Sequence, residues 1–295
     1  MQMHAFHHHM CRTSLTNVAR QSRSLLLAAL VLLLAMPAAH AGRACEVNKT
    51  SLKIVQRSMG LAEKTLASLN ASGEKVVALA RAGQDLSKYG LQYSHFGFAY
   101  RQPDGQGGMT WRVLHKLNEC GTADSAIYLQ GLGEFFLEDM WRYEAQWIAF
   151  TPEVQERLLA LFQDADLAVS MNHKAYSLVS YAWGRKYQQS NQWAIETLAA
   201  AMEPVTIAGP AGGVDARRTR AQAWLQFKGY EPTALKIGPV TRLGGRATAA
   251  NVAFDDHPNE KRFADRIETV TVDSVFEWLQ RSKLVGPGRP TVVEF

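Results

Sequence analysis

The segment that most limits the possible folds is an aromatic run in the first half of the chain, in which bulky and small side chains alternate. Residues 93–100 read YSHFGFAY, and this period of two predicts a β-strand whose aromatic face meets the core. A turn-rich sequence, PDGQGG, follows at residues 103–108, and residues 109–117 again favour an extended chain. The sequence therefore predicts an antiparallel hairpin.

Helical signals surround this hairpin. An apolar stripe at spacings of three and four predicts a helix that starts near Leu52, and Thr-Pro-Glu at residues 151–153 is typical of a helix start. A further helix is predicted over residues 190–202 and a shorter helical piece over residues 74–81, whereas residues 176–183 favour an extended chain. Together these elements predict an α+β fold in which helices pack against an antiparallel sheet.

Three regions are predicted along the chain. They are a signal peptide at residues 1–41, a main α+β domain at residues 42–203 and a C-terminal α/β extension at residues 204–295. The extension follows a flexible GPAGG connection at residues 209–213. It is expected to hold a helix over residues 215–227, short strands near Leu235 and Val252, and a strand and helix over residues 267–280.

The first 41 residues have the order of a secretory signal. Three arginines and no acidic residue precede the apolar run at residues 25–36, and the small-residue sequence Ala-His-Ala ends at Ala41. The apolar run is too short for a transmembrane helix, which needs about 20 residues. We therefore expect cleavage near Ala41, a periplasmic or secreted protein, and no stable membrane span after cleavage.

Charge and composition exclude some partners. Without the three arginines of the leader, 29 of the 32 basic residues remain against 27 acidic ones, a net charge of +2. No basic block interleaved with aromatic residues remains, so nucleic-acid binding is not expected. The sequence contains no recognised cofactor-binding motif, so no cofactor is expected.

The cysteines offer one crosslink. Cys11 lies in the leader, which leaves Cys45 and Cys120 in an oxidising compartment. A disulfide between Cys45 and Cys120 is the simplest expectation. The alternative is two separate buried thiols.

Two histidines of the hairpin are the first candidate site residues. In a hairpin centred on Gly105, His95 lies opposite His115 and both project from the same face. Such a pair suits a general base with its orienting partner, or two ligands of a metal, or two side chains that simply fill a sheet face.

A metal site would need more ligands than this pair. His173, His257 and the adjacent acids at residues 255–256 are the available ones, but their spacing matches no metal-binding pattern. No metal is therefore expected.

Ser190 is the third candidate and has two possible roles. It lies at the start of a predicted helix, where its hydroxyl can accept a backbone N–H as an N-cap. The same position suits a nucleophile, because helix-terminal N–H groups stabilise developing negative charge when a histidine takes the proton.

Three segments carry a family resemblance. DLSKYG at residues 85–90, YSHFGFAYR at residues 93–101 and YQQSNQW at residues 187–193 resemble an uncharacterised family of exported bacterial proteins, domain of unknown function 2145. The likeness covers most of the chain after the leader. It implies a bacterial exported protein and brings no activity with it.

A more distant resemblance is to circularly permuted papain-like hydrolases, which include cell-wall amidases and the lecithin-retinol acyltransferase type. His95 followed by Gly97 is similar to their first element, His115 to the second, and Ser190 with Trp193 to the helix that carries their cysteine nucleophile. The resemblance implies His95 as base, His115 as its orienting partner and Ser190 as nucleophile. The departure is serine in the cysteine position, because a hydroxyl ionises far less readily than a thiol.

Two functions follow from these features. The first is an amide or ester hydrolase or transferase of the cell envelope that acts on cell-wall peptide or lipid through His95, His115 and Ser190. The second is a non-catalytic periplasmic binding or assembly module that keeps a papain-like fold. The serine in the position of the catalytic cysteine favours this second function.

Overall fold

A computed structural model of the protein describes residues 50–203 and 213–295. The predicted leader, Cys45 and nearly all of the GPAGG connection lie outside the described residues, so the disulfide between Cys45 and Cys120 stays a prediction. Within the described ranges, no helix combines the length and the hydrophobicity that a membrane crossing requires.

A six-stranded sheet forms the centre of the described structure. Its strands are β1 (Val76–Arg81), β2 (His95–Pro103), β3 (Met109–Asn118), β4 (Ser125–Gly131), β5 (Glu144–Ala149) and β8 (Thr291–Glu294). They lie in the order β4-β3-β2-β1-β5-β8, and all neighbouring strands are antiparallel. A second sheet pairs β6 (Thr233–Lys236) with β7 (Arg266–Thr269). The predicted α+β fold with an antiparallel sheet is confirmed.

Helices lie on both faces of the large sheet. All α-helices of residues 50–203 and 213–295 are, in chain order, α1 (Leu52–Ser72), α2 (Leu132–Phe136), α3 (Pro152–Gln163), α4 (Ala165–Val169), α5 (Ser190–Met202), α6 (Gly213–Phe227), α7 (Pro239–Thr248), α8 (Asn259–Phe263) and α9 (Val272–Arg281). One core lies between the sheet and α1 and α2, and the other lies between the sheet and α3, α5, α6 and α9. The two cores give the strands of the hairpin a buried side chain on each face.

Local sequence signals explain where the predicted helices begin and end. Ser51 caps α1 by accepting from the backbone N–H of Ile54, and Gly73 ends it in the left-handed conformation. Thr151 caps α3 in the same way, with Pro152 in the first turn. Both predicted helices are confirmed.

Two expectations of secondary structure are wrong. Residues 74–81, predicted as helical, contain β1, which lies between β2 and β5 and is buried on both faces. A short apolar run in a sequence is compatible with a buried strand or with a helix. The two strands that pair with β1 come later in the chain, so the local sequence does not indicate them. Residues 176–183, predicted as extended, form turns outside any strand ladder.

The C-terminal part shares the core of the rest of the described structure. Strand β8 pairs with β5 at the edge of the large sheet, and Phe276 and Trp278 of α9 lie in the same core as β2 and α5. The expected helix over residues 215–227 and the strands at Leu235 and Ile267 are present, whereas Val252 lies in a loop. Residues 213–295 therefore share a core with residues 50–203 and add the small sheet.

Candidate functional site

The two candidate histidines of the hairpin meet in the structure. Phe98 of β2 lies opposite Leu114 of β3. A hairpin centred on Gly105 would instead place Phe98 opposite Arg112, so the observed register is shifted by two residues. Because side chains alternate along a strand with a period of two, a shift of two residues leaves both imidazoles on one face. The Nε2 atom of His95 lies 2.8 Å from the Nδ1 atom of His115.

A third side chain fixes the direction of this hydrogen bond. The Oε1 atom of Gln130 in β4 lies 2.8 Å from Nε2 of His115 and can only accept, so Nε2 of His115 carries the proton. Its Nδ1 then accepts from Nε2–H of His95. The Nδ1 atom of His95 is left with a lone pair and has no hydrogen-bond partner among the described residues. Chemically, a neutral imidazole with an unpaired ring nitrogen is able to accept a proton.

Burial makes both imidazoles hard to protonate. His95 is 8% exposed and His115 is fully buried. Burial lowers the pKa of His95 well below its usual value, and the positive charge of Arg81 lowers it further. Burial, and to a smaller extent the charge of the same guanidinium group, lowers the pKa of His115 to about 4. Both rings are therefore neutral at physiological pH.

The close approach of β2 and β3 beside the pair depends on Gly97. A Cβ atom at this position would lie 2.7 Å from Cβ of His115 and 2.8 Å from the carbonyl oxygen of Leu114. We expect Gly97→Ala to lower the free energy of unfolding by about 1–3 kcal/mol, because the two strands must separate. Urea denaturation tests this against Gly131→Ala, whose Cβ would meet only a side-chain atom 3.9 Å away. Equal effects of the two substitutions would contradict the packing.

The lowered pKa of His115 predicts a pH dependence of stability. In the unfolded chain the imidazole has a pKa of about 6.5. Above that pH it is neutral in both the folded and the unfolded state, so its burial does not lower the free energy of unfolding. As the pH falls below about 6.5, the unfolded chain takes up the proton first and the free energy of unfolding decreases. We expect His115 to contribute a loss of about 2 kcal/mol between about pH 7.5 and pH 5.

Urea denaturation at the two pH values measures this loss. The control is His115→Gln, which keeps an amide beside Gln130 but cannot titrate, and it should show a correspondingly smaller dependence on pH. The same pH dependence in both proteins would show that His115 is not the group that titrates.

Ser190 does not join the two histidines. It is the first residue of α5, and Gln189, not Ser190, acts as the N-cap by accepting from the backbone N–H of Asn191. The Oγ atom of Ser190 lies 3.4 Å from the hydroxyl of Tyr176 and makes no hydrogen bond to either imidazole. The predicted contact between the base and the nucleophile is therefore absent from this conformation.

The start of α5 is nevertheless attached to β2 close to His95. The side chain of Asn191 accepts from the backbone N–H of Phe96 and approaches the carbonyl of Ser94, at 3.2 and 3.5 Å. Helix α5 packs on the Phe96 face of the sheet, whereas the side chain of His95 belongs to the face that α2 covers. The helix thus reaches the backbone of the hairpin but leaves its hydroxyl away from the imidazoles.

Three neighbours of the histidine pair were not predicted. Arg81 lies opposite His95 in β1 and pairs with Glu138 at 2.9 Å. The ring of Phe135 lies 5.9 Å from that of His95 and 5.2 Å from that of His115. Gln130 completes the relay. Nothing in a single sequence marks these residues, because their contacts depend on the pairing of β1, β3 and β4.

A buried polar network on the opposite face was also missed. The ammonium group of Lys116 donates to Asn172, Gln188 and the carbonyl of His173, and burial lowers its pKa to about 7. Gln188 in turn donates to Glu196, the only charged residue between Lys186 and Glu203. One acid in an otherwise uncharged helix was the available sequence signal.

Glu196 connects this network to α6. It pairs with Arg218 at 2.8 Å, and both side chains are completely buried. Arg218 also donates to the carbonyl groups of Gly184, Arg185 and Tyr187. All protons of Lys116 and most of those of Arg218 have acceptors, so the network holds the loop before α5 in place.

The remaining histidines lie elsewhere. His173 is 3.7 Å from Asp215, and His257 bonds to Asp256 and the carbonyl of Glu268. Over residues 50–203 and 213–295, no three His, Cys, Asp or Glu side chains are arranged to hold a metal ion.

The fold and the site define an α+β domain with a hydrogen-bonded histidine pair inside an antiparallel sheet. The chain belongs to the family described as an uncharacterized protein conserved in bacteria, domain of unknown function 2145, which matches residues 68–279. This match confirms the family resemblance and includes both histidines and Ser190. Neither a curated protein nor a solved structure matches the chain. The relation to permuted papain-like hydrolases stays a prediction.

Proposed function

We propose that this protein is a non-catalytic binding or assembly module of the bacterial cell envelope. The observation that carries the proposal is the position of the Ser190 hydroxyl, which contacts Tyr176 and neither His95 nor His115. Without that contact, His95 has no serine from which to take a proton.

The chemistry of the pair supports the same proposal. A general base works best when its pKa lies near the operating pH. Burial lowers the pKa of both imidazoles away from that range, and both are enclosed by Phe135 and Arg81. The pair then serves to hold β2, β3 and β4 together through hydrogen bonds.

A fluorophosphonate probe, which labels activated serines, tests the absence of catalysis. The full chain is treated beside Ser190→Ala, with an active serine hydrolase as positive control. We expect the wild type and Ser190→Ala to be labelled equally weakly. Labelling that disappears in both Ser190→Ala and His95→Ala would contradict the proposal.

The second candidate function is an amide or ester hydrolase or transferase that acts on cell-wall peptide or lipid. It is favoured by the relay that leaves Nδ1 of His95 unpaired and by the attachment of α5 to β2 through Asn191. For this function the Ser190 hydroxyl would have to leave Tyr176 and reach the face of the sheet on which His95 lies. The same probe experiment decides between the two functions, because labelling of Ser190 supports this one.

Export and the disulfide belong to the same proposal. Support comes from the tripartite order of residues 1–41 and from two cysteines after that segment. Mass spectrometry of protein from the periplasmic fraction should give a chain that begins after Ala41. If Cys45 and Cys120 are paired, a thiol-alkylating reagent should leave the mass of the unreduced chain unchanged. After reduction, the same reagent should add the mass of two alkyl groups. A full-length cytoplasmic chain would overturn the proposed export.

A further inference from the structure

Helix α7 is amphipathic, yet none of its residues is buried. Val240 and Leu243 are 84% and 71% exposed, and with Ala247 they occupy one face at spacings of three and four. An apolar helix face normally packs against the core. Here the described part of the protein leaves it uncovered.

The apolar face continues into α8. Phe263 is 72% exposed. Leu243 and Phe263 line the same shallow depression of about 240 Å³, together with Arg242, Arg246 and Arg262. We call Val240, Leu243, Phe263, Arg246 and Arg262 the α7–α8 patch. It joins three exposed apolar side chains to two arginines.

The charge of this surface is mainly positive. No acidic residue occurs between Glu231 and Asp255. Arg246 forms no ion pair with a described residue, and Arg262 donates only to the neutral side chain of Asn259 and lies over the Phe263 ring. The exposed acids nearest in sequence are Asp255 for Arg246 and Glu260 for Arg262, and Asp255 already pairs with Lys186.

Other cations of this region already have partners. Arg242 pairs with Asp265 at 2.7 Å, and Lys261 and Arg266 both pair with Glu268. The guanidinium groups of Arg246 and Arg262 therefore remain available for an external anion.

We propose that the α7–α8 patch binds the surface of a bilayer that contains anionic phospholipid. Amphipathic helices with arginine beside large apolar residues bind in the interfacial plane, where the apolar side chains enter the acyl boundary and the cations meet the phosphates. Guanidinium groups form paired hydrogen bonds with phosphate oxygens.

The shape of the patch favours a bilayer over a protein groove or a small ligand. Its three apolar side chains protrude, each more than two-thirds exposed, instead of lining a deep cleft. The depression between them is below the roughly 300–1,000 Å³ that ligand pockets occupy. A bilayer surface, which is flat and deformable, accommodates protruding side chains better than a protein groove does. The proposal concerns a surface away from the histidine pair, so it holds whether or not that pair is catalytic.

Vesicle co-sedimentation tests the proposal. The protein purified from the producing cell is mixed with vesicles of phosphatidylcholine alone or with about one-third phosphatidylglycerol. We expect binding to the anionic vesicles, and an apparent affinity at least about tenfold weaker for Leu243→Ser/Phe263→Ser. The variant Arg246→Gln/Arg262→Gln should lose the preference for anionic vesicles and most of the salt dependence.

The matched control is Phe227→Ser, which removes a phenylalanine outside the patch that is even more exposed than Phe263, at 83% against 72%. It should bind as the wild type does, and circular dichroism should show all variants folded because each altered residue is on the surface. Equal binding of the wild type and both patch variants would overturn the proposal. Absence of binding to anionic vesicles would do so as well.

Discussion

Replacement of Arg218 with methionine is expected to lower the free energy of unfolding by about 3–5 kcal/mol. Methionine fills a similar volume but leaves the carboxylate of Glu196 buried without a cation. It also removes the donor that holds the carbonyl groups of Gly184, Arg185 and Tyr187. An uncompensated buried charge is costly, because water cannot reach it.

The matched control for this change is Lys174→Met. Lys174 pairs with Asp124 at 3.1 Å on the surface, and exposed ion pairs contribute at most about 1 kcal/mol. Urea denaturation at neutral pH measures both variants. If Arg218→Met were no more harmful than Lys174→Met, the buried network would not hold the loop before α5 as the structure indicates.

Trp193→Ala is expected to have an effect of similar size, about 3–5 kcal/mol. Trp193 is fully buried in α5, and its ring lies 6.1 Å from that of Phe98 in β2. Alanine would leave a cavity between the central helix and the hairpin. Because α5 is enclosed along almost its whole length, its surroundings have little room to collapse.

A second substitution at the same position separates packing from hydrogen bonding. The Nε1–H group of Trp193 has no hydrogen-bond partner among the described residues, so Trp193→Phe removes an unsatisfied donor and keeps an aromatic ring. We expect it to cost less than half as much as Trp193→Ala. Trp141→Ala, at a half-exposed tryptophan, is the control and should cost under about 1 kcal/mol. Thermal and urea unfolding of the three variants tests this order.

Features that depend on neighbouring residues could be predicted from the sequence. The caps at Ser51 and Thr151 and the alternation of residues 93–100 are local, and the structure has the expected helices and hairpin. The register differed by two residues because the hairpin turns between Pro103 and Met109, where Asp104 accepts from two backbone N–H groups of the turn. An even shift kept the histidines together.

Features that depend on distant partners could not be predicted in this way. Strand β1 is a short apolar run whose identity is fixed by pairing with β2 and β5. Ser190 was correctly placed at a helix start, but spacing along the chain does not tell which neighbour its hydroxyl meets. The structure gives that neighbour as Tyr176, and gives the capping role to Gln189.

The non-catalytic role requires His95 and His115 to be a buried neutral pair, so the most direct test is an NMR titration of the two imidazoles. In the ¹⁵N-labelled protein, both rings should keep the neutral form with the proton on Nε2 from about pH 8 to pH 5.5. In urea the same rings should titrate near about pH 6.5. A folded His95 that titrates between about pH 6 and pH 7.5 would be a working general base, and would contradict the non-catalytic role proposed for the pair.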